Sequence, residues 1–123
     1  MTRNITIKAG GVVLDAELND TDTAEAVWDA LPINANGSTW GDEIYFQIPV
    51  EAELEDGQEV VELGDSGYWP PGSAFCLFFG RTPASQGDEI RPASEVTVIG
   101  KILSDTEPLK RVASGSPVVI EAA

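Results

Sequence analysis

The chain carries no histidine, which excludes Ser-His-Asp and Cys-His nucleophile pairs, an imidazole proton shuttle and most transition-metal sites. Cys76 is its single cysteine, so no intrachain disulfide can form, and the apolar neighbours in SAFCLFF point to an inert buried thiol. Carboxylates are abundant, and seven of them (Glu51, Glu53, Glu55, Asp56, Glu59, Glu62 and Asp65) stand in VEAELEDGQEVVELGD. Ca²⁺ takes several carboxylate oxygens, but acids alternating along a strand share one solvated face and do not converge. Asp20 and Asp22 lack the Gly and the terminal Glu of a Ca²⁺ loop, and no carboxylate pair stands out for glycosidic or proteolytic acid-base work. GRTPASQGD has neither the spacing nor the Lys of a phosphate loop, and AGGVVLD lacks the later glycines of a dinucleotide fingerprint. No metal or other cofactor is implied.

What remains is GDSGYWPPGSAFCLFFGRTP, Gly64 to Pro83. Trp69 precedes a proline and is biased to extended backbone, Pro70 and Pro71 stiffen the bend, and Gly72 lets the chain turn into the next strand. Tyr68 and Trp69 are thus expected on a rigid loop at a strand mouth, each with an apolar face and a polar tip. They either contact a peptide or small organic ligand, with little side-chain entropy left to lose, or plug the end of a barrel. Arg81 is the only basic residue between Lys8 and Arg91. It either pairs with a neighbouring carboxylate or donates to a ligand carbonyl or carboxylate. Gln47, polar on a mostly apolar strand, either adds a hydrogen bond to the same cavity or faces solvent.

The elements that must position these residues are mostly strands. NITIK alternates with Ile5 and Ile7 on one face, AGG is a turn, and VVLDAEL sets Leu14, Ala16 and Leu18 against Asp15 and Glu17, which predicts an N-terminal hairpin. DTAEAVWDAL predicts a helix capped by Asp22 and Glu25, with Ala24, Val27, Trp28 and Leu31 on one face and Pro32 ending it. INANGSTWGD is rich in turn residues and leads to EIYFQIPV, where Ile44, Phe46, Ile48 and Val50 alternate with Tyr45, Gln47 and Pro49. EVVEL is a short strand candidate, SAFCLFF is apolar on both faces and hence central, and EVTVIGKIL and PVVIEA complete the set. Many short strands with one helix favour a mainly β, closed antiparallel barrel, because closure removes exposed edges.

The 123 residues, 42% of them hydrophobic, suit one domain spanning 1–123. Acidic residues outnumber basic ones 21 to 7, and the formal charge of -14 repels nucleic acid and anionic membranes. MTRNITIKAGG lacks the apolar segment of a signal peptide and no stretch approaches a membrane span, so a cytoplasmic location is expected.

Taken together, WGDEIYFQIPV, GDSGYWPPGSAFCLFFGRTP and SEVTVIGKI resemble the cyclophilin-like family of small bacterial and archaeal proteins, over roughly residues 3 to 122. The resemblance implies a compact antiparallel β-barrel of about eight strands. Cyclophilins are peptidyl-prolyl isomerases, and the likeness would set Phe75 and Cys76 where their paired phenylalanines stand and Gln47 at their pocket glutamine. Their pocket arginine precedes the segment matched by Ile44 to Gln47, yet NANGSTWGD holds none, and RTPASQGDEIRPAS matches neither their pocket histidine nor their tryptophan. The resulting expectation is a ligand-binding barrel without efficient catalysis, its site formed by Tyr45, Phe46, Gln47, Tyr68, Trp69, Phe75 and Arg81. A weak isomerase that uses Arg81 from another direction is the first alternative. A homo-oligomer subunit anchored by Trp40 and Trp69 is the second.

Overall fold

In a computed structural model, which describes residues 2–123, nine strands form one antiparallel sheet. They are β1 (Arg3–Ala9), β2 (Val12–Leu18), β3 (Ile33–Asn36), β4 (Ser38–Thr39), β5 (Glu43–Gln47), β6 (Asp65–Trp69), β7 (Ala74–Phe78), β8 (Thr97–Ile102) and β9 (Pro117–Ala122). One helix, α1 (Asp22–Asp29), joins β2 to β3, and single 3-10 turns cover Pro70–Gly72 and Glu107–Arg111.

The sheet order is β3-β9-β1-β2-β8-β6-β7-β5-β4. Its two ends, β3 and β4, are consecutive in the chain and separated only by Gly37, so the sheet curls into a nearly closed barrel with its seam at that residue. A side chain on Gly37 would meet Ile44 at 2.8 Å and Val118 at 3.0 Å, so the seam closes only over a glycine. The expected count of about eight strands becomes nine: INANGST, read above as turn-rich, supplies β3 and β4 and DSGYW supplies β6, none of them expected, while EVVEL, expected as a strand, supplies none. β3 pairs with β9 and β4 with β5, and this pairing outweighs the weak strand propensity of Asn and Gly.

The hairpin of β1 and β2 turns at Gly10 and Gly11, whose φ angles of 54° and 91° lie in the left-handed region that glycine tolerates. Its inward face (Ile5, Ile7, Leu14, Ala16, Leu18) joins Phe46, Tyr68, Phe75, Leu77, Ile99 and Ile120 in the barrel core. α1 packs Ala24 and Val27 against this core. Thr21, not Asp22, caps the helix, its hydroxyl accepting from the Ala24 amide at 3.1 Å. The Glu55 carboxylate accepts from the amides of Asp22 and Thr23, both at 3.2 Å, so one acid of the 51–65 run is a helix cap supplied from a distant loop.

EVVEL is not a strand. Its strand-like pairing is limited to isolated bridges, Val61 with Ile90 and, next to the segment, Gln58 with Val96. It covers the outside of the barrel together with the connection from 80 to 96. Val61, Ile90, Val96, Ala74, Cys76 and Phe78 form a second, smaller apolar cluster there. This explains why β7 is buried at all five positions: Phe75 and Leu77 face the barrel interior while Ala74, Cys76 and Phe78 face the covering loops.

Candidate functional site

The side chains of β5, β6 and β7 that point away from the barrel core build the site. β7 lies between the other two strands, and Cys76 is in register with Tyr45 on β5 and Gly67 on β6. Period two puts Glu43 on the same outer face as Tyr45, and Trp69 on the same face as Gly67. The turn Trp40 to Glu43, closed by the Trp40 amide on the Glu43 carbonyl at 2.9 Å, brings Trp40 to the same place. It can be this tight because Gly41, at φ 61°, lies against the backbone of Arg81 and Thr82.

These residues line a cavity of about 270 Å³. Glu43 and Cys76 are its buried base, and Trp40, Tyr45 and Trp69 give it aromatic walls. Pro92, Ala93 and Val96 close the remaining side from the 80–96 connection. That connection is held by the Glu89 carboxylate, which accepts from the amides of Gln86 and Gly87 at 2.8 and 2.6 Å and from Arg91 Nε at 3.0 Å. The Trp69 indole donates to Ser94 Oγ at 2.7 Å, which fixes that wall. A second, more open groove of about 500 Å³, flanked by Leu54, Pro70, Pro71 and Arg91, adjoins the cavity at Pro92 and Ala93.

Glu43 is the unusual group. Its residue is 5% exposed, and Oε1 has no hydrogen-bond partner among the described residues. Burial raises its pKa from 4.5 to about 7, partly offset by the neighbouring Cys76 thiol. The thiol has one proton, shared between the carboxyl and the Ala74 carbonyl 3.9 Å away, so it supplies one weak donor to a group with about four lone-pair sites. Burial, and then the charge of Glu43, push Cys76 well above its ordinary range, so it stays a thiol. No cluster of His, Cys, Asp or Glu among the described residues could hold a metal ion.

Of the seven residues expected at a site, the structure brings Tyr45 and Trp69 together in this cavity. Tyr68 and Trp69 are not on a loop, as GYWPPG suggested, since they end strand β6 and only Pro70–Gly72 forms the turn. Phe46 and Phe75 face the barrel interior, stacked with ring centroids 5.3 Å apart. Tyr68 is fully buried, its hydroxyl donating to the Val50 carbonyl at 2.7 Å and accepting from the Ala52 amide at 3.2 Å. Gln47 is exposed, and so is Arg81, which lines neither this cavity nor the adjoining groove.

Sequence reasoning missed Glu43 as a site residue, and it took Trp40 for an interface anchor and Cys76 for filler. A signal was present: SAFCLFF is apolar on both faces, so something must cover its outer face as well, and Glu43 on the neighbouring strand lies in phase with that face.

The family model described as cyclophilin-like matches residues 3–121. The chain belongs to the cyclophilin-like family. Among solved structures, this cyclophilin-like chain is similar to the solution structure of a hypothetical protein from Archaeoglobus fulgidus. The two share 48% identity over 98% of this chain and 95% of that one, with a TM-score of 0.82. No curated protein matches it. No helix among the described residues is long and apolar enough to cross a membrane.

Proposed function

We propose that this cyclophilin-like barrel is a ligand-binding module whose outer-face cavity takes a peptide side chain or a small organic molecule. The observation that carries this reading is a buried carboxyl with an unpartnered oxygen at the base of an aromatic-walled cavity. Binding pockets combine an apolar lining with a few polar groups that fix orientation, and a buried polar atom without a partner is costly unless a ligand meets it. The adjoining groove along Pro70, Pro71 and Pro92 leaves room for the remainder of a longer ligand.

Prolyl isomerisation is less well supported. A prolyl amide twisting in its transition state calls for a positive donor. Here the cavity presents a carboxyl, and its lining contains no arginine or lysine.

The test is a two-dimensional ¹H–¹⁵N titration of the labelled protein with a panel of organic fragments and short peptides, Xaa-Pro peptides included. Ligands should shift the indole signals of Trp40 and Trp69 and the amides of Glu43, Tyr45 and Cys76. A panel that leaves all of them in place refutes the reading. Acceleration of Xaa-Pro exchange in the same samples would favour the isomerase instead.

A further inference from the structure

The cavity's chemistry narrows the class of ligand, an inference that rests on the binding reading above. Among the described residues, ion pairs join Lys8 to Glu121, Arg91 to Glu89, Lys101 to Glu62 and Lys110 to Glu107. None reaches Glu43, and the cavity lining contains no basic side chain. A buried carboxylate without a countercharge is expensive, so Glu43 either keeps its proton or, once ionised, takes its countercharge from outside the chain.

Three observations select its charge. Oε1 of Glu43 accepts and has nothing to accept from. The side chains around it include two tryptophans and a tyrosine, whose ring faces attract cations. The chain carries a formal charge of -14, which concentrates cations near its surface and repels anions. A ligand carboxylate would face Glu43 with like charge, and an apolar neutral ligand would bury Oε1 still unpaired. A neutral amide would satisfy one lone pair but draw nothing from the rings.

We infer that the outer-face cavity binds a protonated alkylamine, its N–H donated to Glu43 Oε1 and its alkyl groups packed on Trp40, Tyr45 and Trp69. The volume of about 270 Å³ accommodates a short alkylammonium. The amine is either a free small molecule or the end of a lysine side chain whose peptide lies in the adjoining groove.

The labelled protein is titrated at pH about 8, where Glu43 is largely ionised, with butylammonium, its neutral counterpart 1-butanol, and pentanoate. Butylammonium should shift the Trp40 and Trp69 indoles and the Glu43 amide at concentrations at least about ten-fold lower than 1-butanol, from one charge-assisted hydrogen bond and the ring contacts. Pentanoate should leave them in place. Glu43→Gln should reduce that preference to the share the rings supply, about two- to five-fold. Should that variant fail to give a folded spectrum, Tyr45→Ala, at an exposed position, should weaken butylammonium by about two- to five-fold.

Equal affinity for amine and alcohol, tighter binding of pentanoate, or a preference that Glu43→Gln leaves undiminished overturns the inference while the pocket itself stands. If none of the three shifts these signals, the inference fails, and the wider fragment panel decides the binding reading separately. Nα-acetyl-lysine methylamide binding more tightly than butylammonium identifies a peptide lysine as the source. Equal or weaker binding identifies a free amine.

Discussion

Replacing Glu43 by Gln keeps the shape of the cavity base and removes its charge. In the unfolded chain the carboxyl ionises near 4.5, and in the folded barrel burial delays this to about 7. Between those values the folded state holds a proton that the unfolded state has lost, so stability falls as pH rises, by about 1.36 kcal/mol per pH unit. The stability tied to the neutral carboxyl is therefore fully present below pH 4.5 and is lost as pH rises through about 7, a total of about 3 kcal/mol. Glu43→Gln has no such proton. Urea unfolding of both proteins should give closely matched midpoints at pH about 4, whereas at pH about 8.5 the variant should be the more stable by about 3 kcal/mol. With m of about 1–3 kcal/mol per M, that is a midpoint higher by about 1–3 M. The other acidic groups are common to both proteins and cancel in the comparison. Parallel stability profiles across this range, or a variant that loses stability at high pH, would refute the argument that burial holds this proton.

Tyr68→Phe should cost about 1–3 kcal/mol in urea unfolding, because the Val50 carbonyl and the Ala52 amide lose their shared partner, while ligand-induced shifts at Trp40 and Trp69 persist. An unchanged stability would count against that bridge. Trp69→Ala should weaken ligand binding and leave the solution mass, read by light scattering, as it was; a fall in mass would favour the oligomer reading. Thr21→Ala should lower stability by about 1 kcal/mol through loss of the α1 cap, measured by thermal or urea unfolding, and no loss would show that Glu55 suffices.

Strand alternation placed the N-terminal hairpin and β5 correctly, because a sheet with one covered face writes period two into its residues, and a continuous apolar run placed β7, which is covered on both faces. It failed at INANGST and EVVEL, where pairing is decided by partners far along the chain. β3 exists because β9 lies beside it, and EVVEL stays irregular because only single bridges reach it. The helix was found, but its cap was assigned one residue late, since Thr21 and Asp22 are both good caps and only geometry chooses between them. Tyr68 was read as a ligand contact because the sequence shows an amphipathic ring and not where its hydroxyl ends.

Composition and local pattern were thus enough to determine a mainly β barrel, an acidic chain without histidine chemistry and the aromatic segment at Trp69, and the resemblance of three motifs added its cyclophilin-like kind. Only the tertiary structure decided that Trp40, Glu43, Cys76 and Trp69, which span thirty-seven positions counted from first to last, share one cavity. The physical reason is that burial of a charge belongs to a place and not to a residue. Glu43 reads as one more surface acid until β7 and the 80–96 connection cover it and remove the water that would have solvated it.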